Sequence, residues 1–139
     1  MNKIIRFGVS LPEKLLKRFD KFIAREQYSS RSEAVRDLIR EELVKQEWEN
    51  SKSEITGTLT YVYDHHVRGL LNRITELQHS FQEIIISTQH IHIDHNNCLE
   101  IVAFRGNPQH ARRLYNRMRS LKSVKHTAIT MSSTGRGLA

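Results

Sequence analysis

Apolar and polar residues alternate from the first turn of the chain. Ile5, Phe7, Val9 and Leu11 are apolar, and Arg6, Gly8 and Ser10 fall between them. A period of two predicts a half-buried strand with one apolar and one polar face. Ser10 and Glu13 then stand at capping-box spacing, and Pro12 suits the first turn of a helix. Leu15, Leu16, Phe19, Phe22 and Ile23 repeat at helical spacing and predict an amphipathic helix. Gln27-Tyr28-Ser29-Ser30 interrupts it. Ser30 and Glu33 form a second capping-box match, and Ala34, Val35, Leu38, Ile39 and Leu43 line a second helix to about Gln46.

One strand cannot satisfy its own backbone donors and acceptors. No second strand precedes residue 54, so the favoured partner is the same strand from another copy of the chain. A symmetric antiparallel pair makes a two-stranded ribbon over four helices, which requires a dimer. The alternative is pairing with a strand from the second half.

The second half reads strand, helix, strand, strand, helix, strand. Ile55 to Tyr63 is β-branched and aromatic, which suits a strand. Val67, Leu70, Leu71, Ile74, Leu77, Gln78 and Phe81 carry a helical stripe. Ile84 to Asp94 and Cys98 to Phe104 form two strands joined by a hairpin at His95-Asn96-Asn97. Pro108 opens a helix through Ala111, Leu114, Tyr115, Met118 and Leu121, and Thr127 to Met131 is a short final strand. The fold class is α+β, and the order βαββαβ is ferredoxin-like. The expected domains are residues 1–48 and 54–132, with a polar linker at 49–53 and a flexible tail at 133–139.

Composition adds limits. At 139 residues and 38% hydrophobic, two small domains bury little surface each, which again favours an oligomer. The longest apolar runs, Ile84-Ile85-Ile86 and Ile101-Val102-Ala103-Phe104, are far short of a membrane span. The N-terminus lacks the apolar core of a signal peptide. A single cysteine, Cys98, excludes an intrachain disulfide and fits a reducing compartment, so a cytoplasmic protein with no membrane partner is expected. The net charge of +7 favours an anionic partner, nucleic acid first. Position qualifies that sum: residues 1–50 hold 11 basic and 9 acidic side chains, and residues 51–139 hold 11 and 6.

Histidine is concentrated. Six of the eight lie between residues 65 and 95, and His90, His92 and His95 share a short window with Cys98. His90 and His92 stand two apart on a strand, so both rings leave one face. Cys98 begins the returning strand, close to His92 across the hairpin. Two imidazoles and a thiolate suit tetrahedral zinc or planar nickel or copper. A fourth ligand is needed, and His79, eleven residues before His90 on a helix, is the nearest good candidate, within one chain or across an interface. His65, His66 and His126 are lesser candidates.

Arg6, Gly8 and Ser10 share the polar face of the first strand. Paired as a ribbon, that face is basic and narrow enough for the major groove, where arginine reads guanine and hydroxyls read either base type. The helix start at Ser29-Ser30-Arg31-Ser32 offers free N–H groups and a guanidinium for a phosphate, although simple capping explains it equally. The cationic stretch from Arg105 to Lys125 reads as a solvated helix face. No catalytic constellation, glycine-rich phosphate loop or HExxH helix occurs, so neither an enzyme nor a small-molecule substrate is expected.

Three segments carry a resemblance: Ile5-Arg6-Phe7-Gly8-Val9-Ser10-Leu11-Pro12, Arg31-Ser32-Glu33-Ala34-Val35-Arg36-Asp37, and His90-Ile91-His92-Ile93-Asp94-His95-Asn96-Asn97-Cys98-Leu99-Glu100. Together they resemble the NikR family of nickel-responsive transcriptional regulators, over roughly residues 4 to 131. The resemblance implies a ribbon-helix-helix DNA-binding domain and an ACT-like metal-binding and tetramerisation domain. It implies a homotetramer, a dimer of dimers, on a palindromic operator in double-stranded DNA. It implies one Ni(2+) per chain, in a planar site of His90, His92 and Cys98 with His79 from a neighbouring chain, and Glu100 orienting a ligand histidine. Arg6, Gly8 and Ser10 match the DNA-reading positions, with Gly8 able to contact only through its backbone. Glu33 and Asp37 resemble carboxylates that hold a cation between the domains in some members.

The expected function is therefore a nickel-dependent DNA-binding regulator, a repressor of nickel-uptake genes. The alternatives are a related regulator sensing cobalt, copper or zinc, a nickel storage or transfer protein that does not bind DNA, and a small metallohydrolase.

Overall fold

The protein is described by a computed structural model covering residues 2–50 and 52–139. Met1, and Ser51 within the expected linker, lie outside the described residues. The chain divides into two compact units, one through Leu43 that includes Gly137–Ala139, and one of Val44–Arg136.

The first unit holds α1 (Glu13–Arg25) and most of α2 (Arg31–Glu49). The Ser10 cap is not made. Pro12 stands at the N-cap, no side chain caps the helix, and the Pro12 carbonyl accepts from the N–H groups of Leu15 and Leu16. Proline supplies the required φ without any hydroxyl, which leaves Ser10 free. The second cap is made, because Ser30 Oγ accepts from the Glu33 N–H at 3.2 Å. Between the helices, Gln27 adopts φ 60, and Tyr28 and Gln27 donate back to Ile23 and Ala24. That is a Schellman turn with glutamine in the usual glycine position.

Residues 2–12 pair with no strand among the described residues, and Ile5, Phe7 and Val9 are 76%, 71% and 67% exposed. The expected strand is therefore absent from the single chain. Among the described residues β1–β4 pair only with one another, in the order β2-β3-β1-β4. A strand without a partner forfeits the hydrogen bonds that define it.

The second unit holds β1 (Ile55–Asp64), α3 (Leu70–Ser80), β2 (Ile85–His92), β3 (Asn97–Gly106), α4 (Pro108–Ser120) and β4 (Val124–Met131), the expected βαββαβ order in an antiparallel sheet. α3 is shorter than its apolar stripe: Val67 lies in the preceding turn, Gly69 takes a left-handed φ at the N-cap, and Phe81 follows the helix. Alternate residues of β1 and β3, including Leu59, Tyr61, Tyr63, Cys98, Val102 and Phe104, are buried on one face. Leu70, Ile74 and Leu77 of α3 and Ala111, Leu114 and Met118 of α4 belong to the same core. Trp48, at the end of α2, joins it edge-on to Phe104 and donates to the Ser132 carbonyl at 2.8 Å.

Candidate metal centre

The sheet order places β3 between β2 and β1, so each buried β3 residue has a partner on both sides. Cys98 stands opposite His92 on β2 and Tyr63 on β1; Glu100 stands opposite His90 and Tyr61. Two rungs two residues apart thus project their side chains from one face. The hairpin that sets this register is organised by Asp94. Its carboxylate accepts from the backbone N–H groups of Asn96 and Asn97 and from the Asn97 side chain. Those donors hold the Asp94 carboxyl below its ordinary value.

Cys98 is buried, and its Sγ lies 3.6 Å from Nδ1 of His92 and 3.3 Å from Nδ1 of His65. The ligand atoms of these three residues all lie within 4.8 Å of one another. Burial, with help from Glu100, Asp64 and Asp94, pushes the Cys98 thiol above its ordinary pKa. A cation beside the sulfur reverses that balance and favours thiolate.

His90 belongs to the neighbouring rung. Its ring centroid is 4.9 Å from that of His92, while its Nδ1 faces Glu100 Oε2 and the Tyr63 hydroxyl, each at 3.5 Å. Glu100 is buried. It accepts from Tyr61 at 3.1 Å, from Tyr63 through a short contact, and from Gln78 of α3 at 3.2 Å. Burial and the adjacent carboxylate raise both tyrosine pKa values, so their hydroxyls stay protonated donors.

Of the residues singled out from sequence, His90, His92, Cys98 and Glu100 thus converge. His79 does not join them within one chain: it is exposed in the last turn of α3. His65, a lesser candidate by sequence, lies beside the Cys98 sulfur. Antiparallel pairing of Asp64 with Asn97 brings the end of β1 beside the hairpin, and the His65 N–H donates to the Asn96 carbonyl. The signal was present only jointly, in a histidine at the end of one strand and a cysteine at the start of its partner.

In the first unit Arg6, Gly8 and Ser10 are exposed, and nothing lies within 4 Å of where a Gly8 side chain would begin. Arg31 makes a two-pronged pair with Asp20, both contacts at 2.9 Å, beside the capped turn at Ser30. Glu33 pairs with Arg36 at 2.7 Å, and Asp37 accepts from the Tyr28 hydroxyl, whose pKa is pushed up to about 12 chiefly by that bond.

Comparison with known proteins is consistent in both units. Residues 5–46 match the model described as ribbon-helix-helix protein, copG family, and residues 56–132 match the NikR C terminal nickel binding domain. A protein of Syntrophus aciditrophicus named as a nickel-responsive regulator is 53% identical over 97% of this chain and 98% of its own. One of the same name from Nitratidesulfovibrio vulgaris is 50% identical over 99% of both chains, and one from Dictyoglomus turgidum is 46% identical over 95% and 98%. A solved structure of an uncharacterised Thermotoga maritima protein superposes with TM-score 0.52 at 15% identity, covering 57% of this chain and 98% of that one, a likeness of fold alone. No described helix is long and apolar enough to cross a membrane.

Proposed function

The chain belongs to the NikR family of nickel-responsive regulators, and from that premise we propose that it is a repressor that binds a palindromic operator when nickel is bound. Its ribbon-helix-helix and nickel-binding domains make it a regulator by family rather than an enzyme.

The observation that carries the reading is His92 facing Cys98 across the β2–β3 ladder, with His90 one rung away. Two imidazoles and a thiolate on one face of the sheet fit nickel, a borderline ion that takes nitrogen and sulfur donors. His90, His92 and Cys98 would hold one ion per chain, and His79 of a second copy would complete the set; its exposure in α3 leaves it available. When bound, nickel would supply a link between the chains that carry these donors. Glu100 keeps the His90 ring oriented through the contact at Nδ1.

The exposed apolar residues Ile5, Phe7 and Val9 support a ribbon paired between two copies, with Arg6, Gly8 and Ser10 on the outer face for bases. Ser30 and Arg31 sit at the start of α2, where N–H groups meet a phosphate. The domains read as residues 1–48 and 54–132, which 49–53 connects and 133–139 follows, with Glu33 and Asp37 on α2 as carboxylates able to take a cation. Two such dimers around four metal domains make a cytoplasmic homotetramer, and nickel favours the arrangement in which both dimers reach one operator.

The test is operator binding with and without nickel, for the natural chain and for Cys98→Ala. Nickel should tighten binding of the natural chain only. Equal affinity in all the measurements overturns the regulatory reading.

A further inference from the structure

We infer that His65, His92 and Cys98 form a second ligand set, complete within one chain, for a divalent cation of tetrahedral preference, with zinc as the test ion. The inference rests on the reading of His90, His92 and Cys98 as nickel ligands, and adds how a second metal is kept from imitating nickel.

Three observations carry it. The first is spacing. A tetrahedral zinc with ordinary Zn–S and Zn–N bonds separates sulfur from nitrogen by about 3.5 Å, against about 3.1 Å for neighbouring donors in a plane. The Cys98 sulfur stands 3.6 Å from His92 Nδ1, at the tetrahedral edge, and 3.3 Å from His65 Nδ1, between the two values, so both nitrogens are within reach of an ion on the sulfur.

The second is anchoring. The His65 backbone is held to the hairpin by its bond to the Asn96 carbonyl, and its ring lies 4.0 Å from that of His66. Cys98 is buried in the sheet, His65 is half-buried and His92 is exposed. Three donors thus come from preset backbone positions, the number that three-ligand zinc sites supply. The other close group, Asp64, His65 and His66, is weaker, because the Asp64 carboxylate already accepts from the His66 N–H at 2.8 Å.

The third is exclusion. His92 and Cys98 belong to both sets, so one chain fills one or the other. With His65 as the third donor, His90 remains on Glu100 and Tyr63, and nothing is asked of His79 in another copy. A cation held this way is bound without linking chains. The planar set needs His90 and a neighbour's His79, and does link them. The choice of third donor therefore converts coordination preference into assembly.

The experiment measures zinc and nickel affinities of the full chain by chelator competition, for the natural protein, His65→Ala, His65→Asn and His90→Ala. Both His65 variants should lose zinc affinity by about tenfold or more while keeping nickel affinity within about threefold, and retained nickel binding shows that they fold. His90→Ala should do the reverse. Zinc absorption-edge spectra should lose one nitrogen donor in the His65 variants. Zinc affinity that stays within about threefold in either nickel-binding His65 variant, or that falls in step with nickel in both, overturns the inference. Nickel affinity indifferent to His90→Ala overturns the nickel reading instead, and leaves the zinc comparison to decide this one.

Discussion

Gln78 of α3 donates to the buried carboxylate of Glu100 on β3 at 3.2 Å. The same amide reaches the Tyr61 hydroxyl at 2.5 Å, so one side chain ties the helix that carries His79 to the Glu100–Tyr61 rung of the sheet. Removing the carboxylate leaves Tyr61, Tyr63 and Gln78 short of an acceptor. Glu100→Ala should destabilise the chain by about 1–3 kcal/mol, read from urea unfolding at unchanged slope. A midpoint indistinguishable from the natural chain would show that water replaces the carboxylate freely.

Gly57 is a packing requirement of β1. A Cβ there meets the Thr130 carbonyl at 2.5 Å and the Phe104 ring at 2.7 Å. Neither neighbour yields easily, since one is the backbone of β4 and the other a buried ring against Trp48. Gly57→Ala should cost about 1–3 kcal/mol and lower the thermal midpoint, contrary to the usual gain when alanine replaces glycine in a strand. A rise in midpoint would refute the close approach.

Phe7 is 71% exposed in the single chain and lies on the apolar side of the expected ribbon. Phe7→Lys should weaken self-association in sedimentation and abolish operator binding, while nickel binding persists. Arg6→Ala alters only the outer face, so it should lose operator binding without changing the sedimenting mass. If Phe7→Lys leaves operator binding intact, the N-terminal segments do not pair.

The pair between Asp20 and Arg31 has a defined acid signature. The guanidinium beside Asp20 holds its carboxyl below the ordinary value near 3.8. Because the folded value is depressed, the stabilisation is present above the ordinary value and is lost as pH falls through the lowered one. Asp20→Asn should therefore narrow the stability difference from the natural chain as acid is added. Both side chains are exposed, so the effect is small and weakens with salt. A difference that stays constant from neutral pH into strong acid would rule the pair out as its source.

Helix and strand order in the second unit was legible because period and turn chemistry are local. Alternation in β1, the stripe of α4 and the asparagines after Asp94 each act over a few residues. The histidine window and Cys98 were legible as chemistry for the same reason, since a hairpin makes neighbours of residues close in sequence. The Ser10 cap misread one local choice, in which proline already satisfied the backbone.

What sequence alone determined is the two helices of the first unit, the order of strands and helices in the second, and the hairpin that joins His92 to Cys98. Tertiary structure decided that Glu100 meets Tyr61, Tyr63 and Gln78, and that His65 comes to the Cys98 sulfur. Those meetings depend on β1 lying beside β3 rather than β2, a long-range pairing settled by burial of whole faces. No short window of sequence carries that information, because the free energy of such a sheet is shared among residues far apart along the chain.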